Sequence, residues 1–89
     1  MNMAYIIRTD GTIEQIGKQP DLDALQKAVG GYIEYVPCDG PLGFMYCNEE
    51  GKLKGLPPNQ KATRMIDFHD IIVGDVVVME LGDEEEVIE

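Results

Sequence analysis

The 89-residue sequence contains no serine and no tryptophan, and His69 is its single histidine. Without serine, a Ser–His–Asp arrangement cannot form. Neither cysteine, Cys38 or Cys47, lies in the basic, helix-start environment that activates a thiol. These absences argue against nucleophilic catalysis, and we predict that the protein is not an enzyme.

The two cysteines are also too few to define a metal site. They lie outside any Cys-x-x-Cys spacing, and with His69 they would give zinc only three ligands instead of the usual four. A disulfide across a hairpin is an alternative, but a reduced pair fits the cytoplasmic localisation that we predict. We expect no metal and no other cofactor.

Long apolar runs are missing as well. The longest has about four residues, whereas a transmembrane helix needs roughly 20. Met1 to Ile7 lacks the basic start and the apolar stretch of a signal peptide. We therefore expect no membrane association.

Positive charge is absent from the C-terminal quarter of the chain. Seventeen acidic and seven basic residues give a net charge of −10, and residues 67–89 contain no Lys or Arg. Such a segment repels nucleic acid, so direct nucleic-acid binding is not expected. One hypothesis is that this acidic surface imitates a nucleic-acid backbone and inhibits a DNA-binding host protein. The simpler interpretation, which we favour, is a solvated, disordered acidic tail over residues 83–89. The acidic surface comprises Asp67, Asp70, Asp75, Glu80, Asp83, Glu84, Glu85 and Glu86.

Two hairpins are marked in the sequence. Ala4 to Arg8 and Thr12 to Ile16 flank an Asp-Gly pair, a strong two-residue turn signal. Tyr32 to Val36 and Leu42 to Cys47 flank a second group of turn-forming residues. Lys52 to Lys54 is predicted to return as a further short strand with its leucine buried.

Helices and a buried strand fill the remainder. The first helix is predicted to begin at the N-cap Asp21 and to end at Gly30. A second, short helix is predicted over residues 59–66, behind two prolines. Val76 to Met79 is continuously apolar and predicts a strand covered on both faces. Gly51 is expected to supply a positive φ in the turn before residue 52.

The resulting order, ββαββ(β)(α)β, predicts a single α+β domain over residues 1–82. Its sheet is mostly antiparallel, with one or two short helices on one face. Because the other face would be under-covered, we predict a homodimer.

The GKLKGLPPN segment is the strongest small-ligand candidate. Its lysines and glycine-flanked amides are suited to a phosphate or nucleotide, although the Gly-x-x-x-x-Gly-Lys-Ser/Thr loop of nucleoside triphosphatases is absent. The simpler interpretation, which we favour, is an edge strand protected by lysines. The candidate ligand-binding residues are Lys52, Lys54, Gly55, Asn59 and Arg64.

His69 is flanked by Asp67 and Asp70, a combination that can serve acid–base or metal chemistry when the partner is positioned. We favour a polar loop before the last strand. The tyrosines of the second hairpin are interpreted as sheet packing, because a base-stacking platform needs more positive charge.

Several stretches resemble the domain of unknown function 3846 family, which occurs in bacteriophages, plasmids, bacteria and some large algal viruses. The matching residues are Leu25-Gln26, Val29 to Glu34, Asn48 to Leu53, Gly55 to Asn59 and Asp70 to Val78. The resemblance spans Leu22 to Val78 and leaves the acidic tail outside. It implies a viral or mobile-element accessory domain and brings no catalytic residues.

We therefore predict a small, non-enzymatic accessory protein of viral or mobile-element type that acts by protein binding in the host cytoplasm. Two alternatives stay open. One is a nucleotide- or phosphate-binding domain using the GKLKGLPPN segment, and the other is the acidic nucleic-acid mimic. An enzyme built on His69 ranks last.

Overall fold

The structure is a computed structural model that describes residues 3–17, 19–39 and 43–80. The predicted tail, with Asp83, Glu84, Glu85 and Glu86, and the predicted strand residue Leu42 lie outside the described residues. The elements are β1 (Met3–Ile7), β2 (Ile13–Gly17), α1 (Leu22–Val29), β3 (Ile33–Pro37), β4 (Phe44–Asn48), α2 (Gln60–Thr63) and β5 (Val76–Glu80). The predicted α+β class is confirmed.

The five described strands form one sheet in the order β2-β1-β5-β4-β3, and all neighbours are antiparallel. The last strand of the chain, β5, therefore lies in the centre, between the two predicted hairpins. Val76, Val77 and Val78 have no exposed surface, which confirms that this strand is covered on both faces. The two edges of the sheet are β2 and β3.

Helix α1 covers one face of the sheet. It begins where the Asp21 carboxylate accepts a hydrogen bond from the Ala24 N–H at 2.9 Å. It ends at Gly30, whose φ of 82° is left-handed. Leu25 and Val29 pack with Val77 and other side chains of the sheet. The predicted N-cap and C-terminal glycine are both confirmed.

Helix α2 and the segment that follows it, with Ile66 and Ile72, lie on the opposite face of the sheet. This corrects the prediction that the helices share one face. Ala62 of α2 packs with Val76 and Val78, whereas Val77 faces α1. Side chains alternate along a strand, so the continuous apolar run of β5 serves both helices. The reason given for a homodimer, an uncovered face, does not hold for the described sheet, and self-association stays a prediction.

The segment between β4 and α2 departs most from prediction. Residues 49–55 form turns, and no strand includes residues 52–54. Leu53 is 88% exposed instead of buried. Gly51 does not have a positive φ, whereas Gly55 does, at 69°. Gly51 is instead buried where an added Cβ would lie 2.8 Å from Val73 Cγ2, so close packing requires this glycine.

Candidate functional site

Hydrogen bonding at both ends of the second hairpin fixes which backbone groups of β3 face its neighbour. At one end, the Glu49 N–H donates to the Tyr32 carbonyl at 2.8 Å. At the other, the Cys38 N–H donates to the Gly43 carbonyl at 2.9 Å. Bonded and non-bonded pairs alternate along an antiparallel ladder. The even-numbered residues of β3 are therefore the ones bonded to β4, because the register between them has no bulge.

The backbone groups of Ile33, Tyr35 and Pro37 consequently point to the free edge of the sheet. Within the described ranges, no backbone hydrogen bond from another segment reaches them. Pro37 lacks an N–H and occupies an outward position, where proline is tolerated in a strand. The open part of the edge thus centres on the N–H and C=O of Tyr35.

A groove of about 360 Å³ runs beside this edge on the α2 face of the sheet. Val36 and Cys47 line it from the sheet, and both are buried. Phe68 and Ile71 line it from the loop before β5, and they are 44% and 54% exposed. The groove therefore offers apolar surface directly next to open backbone groups.

The rim of the groove is acidic. Glu34, Glu49 and Asp70 line it, with Lys52 as the basic residue among its described lining. The Lys52 ammonium donates to the Asp70 carboxylate and so links the two segments that border the groove. The hydrogen bond from Lys52, and then that from the Ile71 N–H, hold the pKa of Asp70 below its ordinary value. With one acid neutralised in this way, the rim keeps a net negative charge.

The opposite face of the same edge carries three aromatic rings. Tyr35 lies 5.0 Å from Phe44 between ring centroids, and Phe44 lies 5.5 Å from Tyr46. Tyr35 is 59% exposed. The predicted packing of tyrosines on the sheet is confirmed for Tyr46, which contacts the cluster around Leu25 and Val29, and for Tyr35, whose ring lies against Phe44. Tyr35 also leaves part of its ring exposed at the edge.

Neither thiol has the features of a nucleophile. Burial, and then the nearby Glu34, raise the pKa of Cys47 to about 12. Burial also raises the pKa of Cys38. Both cysteines are free, and across the described ranges no group of three or more His, Cys, Asp or Glu side chains is placed to hold a metal ion.

The predicted ligand-binding residues are not brought together at one site. The Lys52 ammonium pairs with the Asp70 carboxylate at the groove. The Lys54 Nζ atom lies 3.9 Å from the Glu50 Oε1 atom in a separate ion pair. Arg64 lines a different cleft, at the start of α2. The positive φ of Gly55 serves its turn. Lys52 and Lys54 are therefore held in different ion pairs, and phosphate binding by the GKLKGLPPN segment stays a prediction.

Asn59 is a structural residue, which corrects its assignment to the ligand site. It is only 1% exposed and caps α2, its Oδ1 accepting from the Ala62 N–H at 3.1 Å. Its Nδ2 donates to the Ile7 and Gly74 carbonyls. No polar group of its side chain is left for a ligand.

The four described members of the predicted acidic surface have separate environments. Asp70 binds Lys52, and Asp75 accepts a hydrogen bond from the Thr9 N–H at 3.0 Å. Asp67 and Glu80 are exposed. His69 is also exposed and lines a shallow depression that adjoins the groove at Asp70 and Ile71.

Sequence reasoning placed the protected edge strand at residues 52–54 and missed the open edge at β3. One signal was available. Pro37 directly follows the apolar run that predicted β3, and a proline in a strand indicates an edge position. The groove itself could not be predicted, because its second wall comes from residues 68–73, which lie more than 30 positions after Val36 of the first wall.

A family model described as "Domain of unknown function (DUF3846)" matches residues 1–89, the whole chain. The chain belongs to this family. The match includes residues 83–89, so the acidic end lies within the family domain. This corrects the partial resemblance, which left the acidic end outside. No curated protein and no solved structure matches the chain. Among the helices of the described DUF3846 domain, none is long and apolar enough to cross a membrane.

Proposed function

We propose that the domain is a peptide-binding module in which an extended segment of a partner protein adds to β3 as a further strand. The observation that carries the proposal is the open edge at Tyr35 directly beside the apolar groove. Strand addition draws affinity from main-chain hydrogen bonds and specificity from pockets for alternate side chains. Here the outward backbone groups of β3 would make the main-chain hydrogen bonds, and the groove would hold the alternate side chains.

An added strand would contact apolar surface on both faces. Successive side chains of a strand point in opposite directions. One set would enter the groove against Val36 and Ile71, and the other would pack against the ring of Tyr35. Recognition on both faces favours an extended peptide over a helix, which would engage only one face.

The charge of the groove indicates the chemistry of the partner segment. Its rim is acidic and the whole chain has a net charge of −10, so a peptide with Lys or Arg beside apolar side chains would be attracted and oriented. A second copy of this acidic chain would be repelled. The partner is therefore a different protein, and the viral or mobile-element accessory role in a host cytoplasm, without catalysis, is part of this proposal.

The proposal is tested by selection from a displayed library of peptides of about eight residues, enough to pair along one typical strand. We expect enriched sequences that alternate apolar residues and contain Lys or Arg. Ile71→Gln in the groove should weaken binding of a selected peptide roughly 5- to 30-fold, since it removes about 1–2 kcal/mol of apolar burial.

Ile13→Gln provides a matched control, because Ile13 is also 54% exposed but lies on the other edge strand, β2. It should leave binding unchanged. A library without enriched sequences, or equal losses from both variants, would contradict peptide binding at β3. Sedimentation of a dimer that Ile71→Gln dissociates would show that a second copy occupies the edge, and would also contradict it.

A further inference from the structure

A second cleft, of about 230 Å³, lies between the β1–β2 turn and the start of α2. Of the seven basic residues in the chain, three line this one cleft: Arg8, Lys61 and Arg64. The acid among its described lining residues is Asp10. The lining residues alone therefore carry three positive charges and one negative charge, while Glu14 pairs with Arg8 and Asp75 accepts a hydrogen bond from the Thr9 N–H beside the cleft.

Two of the three cations make contacts that leave donors over. The Lys61 ammonium donates to the Gly11 carbonyl at 2.7 Å, which ties α2 to the β1–β2 turn. An Arg8 Nη2 atom donates to Glu14. An ammonium has three N–H donors and a guanidinium has five, so each side chain keeps donors beyond these contacts.

The carboxylate of Asp10 is engaged by its own turn. It accepts hydrogen bonds from the Thr12 N–H at 2.9 Å and from the Thr12 hydroxyl at 2.8 Å. These two bonds lower the pKa of Asp10. Both bonds reach Oδ1 and favour the charged carboxylate, so Asp10 contributes one negative charge to the cleft against the three cations.

We propose that this basic cleft binds the phosphate group of a small molecule. Arg8 from the end of β1, and Lys61 and Arg64 from α2 and its C-cap, supply charged donors. Arginine matches the oxygen geometry of phosphate bidentately. A polymer of phosphates does not fit, because three cations in a chain of net charge −10 cannot offset its repulsion. The site is separate from the β3 groove and does not depend on peptide binding there.

The test is an NMR titration of the full chain in phosphate-free buffer with three probes: inorganic phosphate, adenosine monophosphate and adenosine. We expect inorganic phosphate and the monophosphate, but not adenosine, to shift the amides of Gly11 and Lys61 at millimolar concentrations, the affinity of a small ionic site. Equal shifts with adenosine, or no shifts with either phosphate, would overturn the proposal.

Arg64→Gln should weaken phosphate binding about tenfold, the effect of losing one charge-assisted hydrogen bond. Lys27→Gln is the matched control, because it removes one positive charge from the exposed surface of α1 and should leave binding unchanged. If the amide spectrum shows that Arg64→Gln does not fold, Arg8→Gln takes its place. An equal loss of phosphate affinity in Lys27→Gln would mean that anions are attracted diffusely by positive charge, and it would also overturn the assignment of the cleft.

Discussion

The side-chain Nδ2 of Asn59 donates to the main-chain carbonyl of Ile7, 52 positions earlier in the chain, at 2.9 Å. The same nitrogen donates to the Gly74 carbonyl at 2.9 Å, and the side-chain oxygen caps α2. One buried amide thus joins the end of β1, the turn before β5 and the second helix. The bond to Gly74 also anchors the end of the loop that forms the second wall of the β3 groove.

Asn59→Ala should lower the free energy of unfolding by about 2–4 kcal/mol, because it removes the cap of α2 and the two buried hydrogen bonds that the Nδ2 atom donates. Urea unfolding followed by circular dichroism measures the loss. The control is Asp21→Ala, which removes the exposed cap of α1 and should cost only about 0.5–2 kcal/mol. A cost for Asn59→Ala no larger than that of the control would show that the buried hydrogen bonds contribute little.

Gly51→Ala tests whether this glycine is required for packing. The new Cβ would lie 2.8 Å from Val73 Cγ2, and overpacking of this kind costs about 1–3 kcal/mol. Val73→Ala in the same chain should restore most of the loss, as measured by urea unfolding of the single and double variants. If the stability loss of the double variant equals the sum of the losses of the two single variants, a steric clash between the new Cβ and Val73 is not the cause.

The pKa of Asp70 reports on the contact that links the two borders of the groove. Its pKa is lowered by Lys52, so the contact adds stability above the unfolded-state value of 3.8 and loses it as the pH falls through the lower folded-state value. Lys52→Gln should raise the titration midpoint of Asp70, measured by carboxyl NMR. Lys54→Gln, a neighbouring lysine paired with Glu50, should leave the midpoint unchanged. Equal effects would indicate general electrostatics instead of a specific contact.

The sequence predicted the framework of the fold because its signals are local. The Asp21 cap and the Gly30 stop act within a few residues, and both are confirmed. The Asp-Gly pair predicted the first hairpin correctly, although the bond from the Arg8 N–H to the Thr12 carbonyl closes a loop of three residues instead of two. Gly51 and Leu53 were misjudged because their environment depends on distant side chains. Val73 lies 22 positions after Gly51 and determines its packing, and no periodic pattern in the sequence encodes that contact.

The candidate site was less predictable than the fold for the same reason. Asn59 was assigned to a ligand as part of a loop motif, but burial against Ile7 and Gly74 makes it structural. Arg64 was grouped with Lys52, whereas the fold places it with Arg8 and Lys61. Residue types were informative about chemistry, but only the strand order showed which residues are neighbours.

Removing residues 83–89 tests the hypothesis of nucleic-acid mimicry. If these residues are only a solvated tail, truncation after Gly82 should leave the melting temperature unchanged or slightly higher, because self-repulsion falls. Binding of a selected peptide at the groove should then change less than about twofold at 0.15 M salt, where the tail charges are largely screened. Replacing Asp with Asn and Glu with Gln at these positions separates charge from length. Loss of binding to a basic partner that follows the number of charges removed, and that added salt reproduces, would favour mimicry.

The most direct test of peptide addition to β3 is amide hydrogen exchange at Tyr35, measured by NMR with and without a selected peptide. The N–H of Tyr35 points to the open edge, so it should exchange rapidly in the free domain and become protected when a peptide strand accepts its hydrogen. The Gln15 N–H, at the corresponding outward position of edge strand β2, is the internal control. We predict that the exchange of Tyr35 slows at least about tenfold, equivalent to 1.4 kcal/mol, while that of Gln15 is unchanged. Bound peptide with no added protection at Tyr35, or with equal protection at both edges, would contradict the proposed mode of binding.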